Sequence, residues 1–274
     1  MKKLVLVVLI CFKFVFIAHL SAQNNFDNKI LTIEAPFVVE DTISKIVSVS
    51  NKPIGTAFIV GMSSYFKGKR FLVTARHVIN EVIKNYDSEL ILRLPYDDSV
   101  FKSVRFRSNL NDLKKECLLY PKDTCYDLAI IEFSDLKGEL VDKDTIDFEK
   151  LKFGAFPISV FKTSLDTLWS GNFITFAGYP KGLSGFYKNY LIFRFGIIAA
   201  VISDKFEELC KDHFLINSES TGGDSGSPVF SSNLGSTDKL IGVLSGSYFT
   251  GLSVVEPIEI VIEMIDQYLK EFGN

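Results

Sequence analysis

Short apolar runs of strand composition recur along this 274-residue chain, cut by Gly, Pro and Asp turns. They fall at residues 55–60, 71–74, 90–94, 128–133, 173–177, 191–198, 214–216, 228–230 and 240–245. Strands this short and this numerous predict a barrel or a sandwich. The charged, aperiodic stretch 135–152 is expected to connect two halves. After Pro257 the pattern changes: Ile258, Val261, Ile262, Ile265, Leu269 and Phe272 follow a helical period. That end predicts a closing helix packed on the second half, and its acidic residues Glu259, Glu263, Asp266 and Glu271 disfavour an interfacial membrane helix. There is no internal repeat.

The first 22 residues have the pattern of a signal peptide. Lys2-Lys3 opens it, Leu4 to Phe12 is apolar, and Ser21-Ala22 precedes a cut expected at Gln23. Lys13 interrupts the apolar run and weakens a retained membrane anchor. The expectation is an exported chain, periplasmic or secreted, with no stable membrane span after removal. Of 30 basic and 33 acidic residues, three lysines leave with that segment, so the net charge falls near −6. No basic run stands out, which disfavours a nucleic-acid partner. About 250 residues remain, enough for one two-lobed β unit. Export permits disulfides. Cys117 and Cys125 flank a short polar loop, so a hairpin bridge between them is weighed against three free thiols including Cys210. No metal-ligand spacing occurs in the sequence, and no cofactor is expected.

The run Gly222-Gly223-Asp224-Ser225-Gly226-Ser227-Pro228-Val229 carries the chemistry. A serine framed by glycines is either a surface turn or a nucleophile on a tightly bent backbone. A serine nucleophile needs a base, and histidine suits because it titrates near neutral pH. The chain has three histidines, His19, His77 and His213. His19 lies in the leader. His77 ends the apolar run from Phe71 and precedes a short helical pattern through Ile83, so a rigid strand supports it. His213 lies in a polar stretch, and His77 is the preferred base. The base needs an orienting acid. Asp127 opens the apolar run Leu128–Phe133, where a carboxylate is costly unless paired. No histidine follows Ser225, so a Ser…Asp…His order is impossible. Asp41 precedes His77 and would give an Asp…His…Ser order, but it has no matching surroundings; the order His77…Asp127…Ser225, with spacings of 50 and 98 residues, is preferred.

With these motifs in that order, the chain resembles the chymotrypsin-fold (trypsin-like) serine peptidases. The matching strings are Thr74-Ala75-Arg76-His77, Asp127-Leu128-Ala129-Ile130 and Gly223-Asp224-Ser225-Gly226-Ser227-Pro228. Gly55-Thr56-Ala57-Phe58-Ile59-Val60 resembles the early strand of bacterial members, and Thr221-Gly222-Gly223 and Gly178-Tyr179-Pro180 resemble the bacterial glutamyl-endopeptidase-like branch. The resemblance implies an all-β fold of two antiparallel barrels with a C-terminal helix. The first barrel spans residues 51–150 after an N-terminal segment 23–50. The second spans 151–255, and the helix occupies 256–274. It implies an exported serine endopeptidase acting on protein or peptide substrates through an acyl-enzyme. His77, Asp127 and Ser225 are its triad, and the Gly223 and Ser225 amides its oxyanion hole. Substrate binding falls to Glu219, Ser220, Ser245, Ser247 and Gly251, and Ser245 is also a candidate to bond Asp127. The chain ends with the helix, an expectation against the HtrA arrangement, where a peptide-binding domain follows.

Two departures from the family pattern matter. In animal members a new N-terminal ammonium pairs with the aspartate before the serine. Asp224 is present here, but no such terminus is visible, so Asp224 needs another cation. A catalytically weak binding protein on the same fold is the alternative this raises, and an esterase is a third. Second, Leu244 stands where glutamyl endopeptidases place a histidine, which disfavours acidic specificity. Glu219, six residues before Ser225, suggests basic specificity by charge pairing if its carboxylate is buried.

Overall fold

The computed structural model describes residues 29–40, 47–61, 67–95, 103–133, 136–140, 154–161, 168–180, 191–204, 209, 212–232, 239–249 and 251–273. The leader, Cys11, Cys210 and most of the expected connector 135–152 lie outside the described residues.

Two antiparallel sheets make up the fold. The first contains β1 (Ile30–Glu40), β2 (Val47–Gly61), β3 (Arg70–Ala75), β4 (Glu89–Pro95), β5 (Ser103–Asn109), β6 (Leu118–Leu119), β7 (Leu128–Glu132) and β8 (Glu139–Leu140). Its order is β6-β7-β3-β2-β1-β4-β5-β8, an open half-barrel among the described residues. The second contains β9 (Phe173–Gly178), β10 (Ile192–Val201), β11 (Phe214–Asn217), β12 (Pro228–Ser232), β13 (Lys239–Phe249) and β14 (Leu252–Pro257). It closes as a six-stranded barrel in the order β10-β11-β14-β13-β12-β9. The fold is therefore mostly β and chymotrypsin-like, with one lobe closed and the other half-closed. Strand β1 lies within the expected N-terminal segment, and β8 lies within the expected connector.

Side-chain alternation explains why the first-lobe strands read as unbroken apolar runs. Neighbouring residues of a strand face opposite sides. Leu31, Ile33, Ala57, Ile59, Leu72, Ala129 and Ile131 pack together on one face of the first sheet. Ile30, Phe58, Val60, Phe71, Val73, Leu128 and Ile130 pack on the other, against Ala177, Phe230, Leu240 and Val243 of the second lobe. With both faces covered, no polar alternation is needed.

Helix α1 (Arg76–Asn85) follows β3 directly and buries Val78, Ile79 and Val82. Helix α2 (Ile258–Phe272) buries Ile258, Val261, Met264, Ile265, Tyr268 and Leu269 in the core shared by the lobes. Its far end meets the first lobe: Tyr268 packs edge-on to Phe71, with ring centroids 5.6 Å apart. Lys67 donates to the Gly273 carbonyl at 2.8 Å, which places a cation at the negative end of the helix. No helix among the described residues is long and apolar enough to cross a membrane.

Neither the Cys117–Cys125 bridge nor the three free thiols weighed from the sequence is what the structure holds. Cys117 is a buried thiol outside any disulfide, whereas Cys125 is disulfide-bonded. The partner of Cys125 lies outside the described residues. Cys117 ends a short 3-10 turn and is buried.

Candidate active site

His77 stands in the first turn of α1, immediately after β3, and this position sets its chemistry. A helix start leaves backbone N–H groups without intrahelical partners. The N-cap residue is Ala75, which has no side-chain oxygen to offer. Asp127 fills the vacancy from the start of β7, which pairs with β3. Its carbonyl accepts the Arg76 N–H at 3.1 Å, and its carboxylate Oδ1 accepts the His77 N–H at 2.9 Å. The second carboxylate oxygen, Oδ2, lies 2.6 Å from His77 Nδ1. Asp127 thus caps the helix and orients the imidazole together, with the carboxylate at the positive helix end. This geometry turns Nε2 away from the acid.

His213 behaves differently. It is buried, with Nε2 2.6 Å from Glu256 Oε2 and Tyr126 packed over its ring at 5.3 Å. It joins β11, β14 and the loop before Asp127, and its surroundings leave no access for a substrate.

The serine loop belongs to the second lobe but is pinned by the first. Thr56 of β2 donates its N–H to the Ser225 carbonyl at 2.8 Å and its hydroxyl to the Gly223 carbonyl at 2.7 Å. The same Oγ1 accepts the Tyr179 N–H at 3.0 Å. The Thr56 carbonyl accepts the Thr74 hydroxyl at 2.7 Å, three residues before His77. Thr56 therefore ties the segments of His77 and Ser225 into one hydrogen-bonded unit. Sequence reasoning did not find it. The only signal was its place inside Gly55-Thr56-Ala57-Phe58, which reads as ordinary strand.

The glycines of the loop are required by its path. Gly223 has φ +97° and Gly226 has φ +90°, in the left-handed region that other residues rarely adopt. A Cβ on Gly226 would also collide with the Thr56 carbonyl and the Thr74 hydroxyl. The turn continues with Asp224 N–H to Thr221 O at 3.0 Å, Ser227 N–H to Asp224 O at 3.0 Å and Gly226 N–H to Leu244 O at 2.7 Å.

Asp224 has the cation that the sequence left open. Its side chain is 1% exposed, and its Oδ2 lies 2.6 Å from Arg194 Nη1. The same oxygen accepts the Thr221 N–H at 2.7 Å and the Thr221 hydroxyl at 3.0 Å. Burial raises the Asp224 carboxyl above the ordinary carboxylate range, while Thr221 and Arg194 act in the opposite direction. Arg194 was not singled out in the sequence.

Some of the residues expected to bind substrate bond to one another. The Ser220 and Ser247 hydroxyls are 3.0 Å apart, and Ser253 donates to the Ser218 carbonyl at 2.8 Å while its hydroxyl lies 2.9 Å from that of Ser220. Ser253 is an addition to the expected set. Gly251 makes the β13–β14 turn with φ +83°. The Ser245 hydroxyl donates to the Val254 carbonyl at 3.3 Å rather than to Asp127. Glu219 is exposed, and its fixed group is the carbonyl, which accepts from Arg194 at 3.0 Å. Leu244 is buried in the barrel core, not presented to a pocket. Among the described residues no group of His, Cys, Asp and Glu side chains is arranged to hold a metal.

Solved structures share this architecture. Deg5 superposes with a TM-score of 0.54 at 17% identity, covering 93% of this chain and 95% of that one. The apo protease domain of MamO from Magnetospirillum magneticum gives 0.53 at 13% identity, covering 87% and 96%. The HtrA-type protease AlgW with a decapeptide gives 0.53 at 15% identity, covering 92% and 67%. These likenesses concern the fold. No curated protein sequence matches the chain. The sequence from Gly55 to Val243 does match the family model of the trypsin-like peptidase domain, and the chain belongs to that family.

Proposed function

We propose that the chain is an exported serine endopeptidase that cleaves peptide bonds through an acyl-enzyme. The observation that carries this reading is the pair of hydrogen bonds between Asp127 and His77, 2.6 Å at the ring and 2.9 Å at the main chain, with a glycine-framed serine loop tied to the same strand pair by Thr56. Ser225 Oγ attacks the scissile carbonyl as His77 Nε2 takes its proton. Asp127 stabilises the resulting imidazolium. The Gly223 and Ser225 amides bind the developing oxyanion, each contributing about 3–4 kcal/mol to lowering the barrier. His77 then protonates the leaving amine, and a water activated by the same histidine releases the acyl group.

Within the family, Gly178-Tyr179-Pro180 and Thr221-Gly222-Gly223 favour the glutamyl-endopeptidase-like branch, without the histidine that gives that branch its acidic specificity. A basic preference through Glu219 operates in a solvated setting, where charge pairing contributes little. The binding-protein alternative was motivated by Asp224 lacking a cation. Arg194 supplies one, which leaves the enzyme as the better reading.

The test is labelling with an organophosphonate. The purified chain incorporates the reagent at Ser225, and Ser225→Ala abolishes both labelling and peptide hydrolysis. A folded wild type that neither labels nor hydrolyses a peptide library contradicts the proposal. The library also reads specificity, where a preference of less than about tenfold for Lys or Arg is expected from an exposed Glu219.

A further inference from the structure

Serines of the second lobe form a chain of hydroxyls whose direction is fixed by its inner end. Ser253 of β14 is fully buried, and its hydroxyl lies 2.8 Å from the Ser218 carbonyl and 2.9 Å from the Ser220 hydroxyl. The Ser220 hydroxyl lies in turn 3.0 Å from that of Ser247 on β13. A carbonyl can only accept, and each hydroxyl has one proton to give. Ser253 therefore donates to Ser218, Ser220 to Ser253 and Ser247 to Ser220. Any other assignment leaves two oxygens in contact with no proton between them. The second acceptor within reach of Ser247 is the Ser220 carbonyl at 3.4 Å, on the same inner side. Every proton points inward, and the outermost oxygen, Ser247 Oγ, presents lone pairs only.

That oxygen stands close to the nucleophile. Leu244 of β13 is bonded twice to the serine loop, through Gly226 N–H to its carbonyl at 2.7 Å and its own N–H to the Ser227 carbonyl at 2.9 Å. Ser247 lies three residues further along the same strand, a span of roughly 10 Å. Ser220 precedes Thr221, whose N–H bonds Asp224 at 2.7 Å, directly before Ser225. Ser247 is exposed, and a Cβ on its neighbour Gly246 would meet nothing within 4 Å, so the space beside the chain is open. Among the described residues no charged side chain bonds any of the three hydroxyls. The charges held by the same loop, Arg194 and Asp224, are paired with each other at 2.6 Å.

We propose that this hydroxyl chain, anchored by Ser253, selects substrates whose residue before the scissile bond donates hydrogen bonds, the carboxamide of Gln or Asn foremost, and rejects a carboxylate there. The inference rests on the peptidase reading above and names its substrate class. A carboxamide N–H meets the Ser247 lone pairs with no charge to desolvate. A carboxylate has only acceptors, so Ser247 must turn its proton outward and give up Ser220. A Lys ammonium donates, but it loses hydration against uncharged oxygens. Ser253 touches no substrate and is a positioning residue, acting through Ser220 and Ser247.

The test takes cut sites found with the peptide library and remakes each peptide with Gln, Glu, Lys or Met before the scissile bond. Wild type cleaves the Gln peptide with kcat/KM at least about tenfold above the Glu and Met peptides, and Lys falls between Gln and Glu. Ser253→Ala removes the anchor. Ser220 then turns its proton to Ser247, Ser247 turns its own outward, and the end of the chain becomes a donor. The Gln-to-Glu ratio of kcat/KM drops at least about fivefold. A merely structural serine lowers all four peptides alike and leaves that ratio unmoved. If Ser253→Ala does not fold, Ser247→Ala carries the test from an exposed position. It removes the terminal acceptor, and the Gln peptide falls to within about threefold of the Met peptide.

The inference is overturned if wild type cleaves the Glu peptide within about threefold of the Gln peptide, or cleaves Lys or Met faster than Gln. It is also overturned if folded Ser253→Ala keeps the Gln-to-Glu ratio within about twofold of wild type, or if Ser247→Ala keeps the full preference for Gln over Met. In those cases Ser225 still labels and the peptidase reading stands. A wild type that neither labels at Ser225 nor cuts any library peptide breaks the peptidase reading itself, and the hydroxyl-chain inference with it.

Discussion

The molecule holds two histidine–carboxylate pairs of the same length. His77 Nδ1 lies 2.6 Å from Asp127, and His213 Nε2 lies 2.6 Å from Glu256. The side chains of the first pair are 48% and 30% exposed, and those of the second only 2% each. The bond length is therefore no guide to the role. What separates the pairs is where the backbone places them. The first sits at a helix start, with its acid also bonded to the main chain and a pinned serine loop nearby. The second is sealed beneath Tyr126 between β11 and β14, where it joins elements and meets no substrate. On the proposed reading, the pairs are told apart by access and by the serine loop tied to the His77 segment.

Variants in each pair sharpen that contrast. Asp127→Asn should have the largest effect, lowering kcat by about 10⁴-fold, because an amide favours the wrong imidazole tautomer. Steady-state hydrolysis measures it, and thermal unfolding should show a fold that remains intact. A loss below about tenfold would place the orienting role elsewhere. His213→Ala should do the reverse. It strands Glu256 in the core and costs about 3 kcal/mol of stability by denaturant unfolding, while kcat of the folded fraction stays within a few-fold. If turnover drops with stability unchanged, the two histidines do not divide the work as described.

Thr56→Val tests the tie between the lobes. It removes the bond to the Gly223 carbonyl and leaves the buried Tyr179 N–H without its acceptor, a cost of about 1–3 kcal/mol. We expect kcat to fall about tenfold with a smaller change in KM. Unchanged kcat with reduced stability would make Thr56 a packing residue only.

The smallest effect concerns pH. Burial raises Glu259, at the start of α2, from its ordinary value of 4.5 to about 7, with Asp212 and Glu263 adding repulsion. An acid whose pKa is higher in the folded state keeps a proton there that the unfolded chain has released. Its contribution to stability is greatest below about 4.5 and falls as pH rises through about 7. Glu259→Gln should flatten the stability profile across that window, measured by denaturant midpoints. A slope that persists assigns the titration to another group.

The triad candidates were legible because each announces itself locally. A histidine census, an aspartate opening an apolar strand and a glycine-framed serine need no tertiary knowledge. Strand β5 was not legible, since its sequence Ser103-Val-Arg-Phe-Arg-Ser-Asn109 looks polar. Its arginines are there to meet acids on other strands: Arg105 bonds Glu34 at 2.8 Å, and Arg107 reaches Glu89 at 3.1 Å. Strand β1 was hidden for a related reason. It carries Glu34, whose burial makes sense only beside Arg93 and Arg105. Arg194 and Thr56 escaped notice because their partners lie 30 and 167 residues away, at positions fixed by sheet register. Spacing in one dimension carries no trace of such contacts. Helix α2 was clear, because its buried stripe repeats at helical period. Its reach across to Phe71 and Lys67 was not, since that depends on how the lobes close.

The central claim is that His77, and not His213, activates Ser225. Organophosphonate labelling of the wild type, His77→Ala and folded His213→Ala, with the adduct located by peptide mass spectrometry, tests it directly. The account predicts a Ser225 adduct in the wild type and in His213→Ala, and none in His77→Ala over the same period. Labelling that survives loss of His77, or that disappears with His213 in a folded protein, contradicts it.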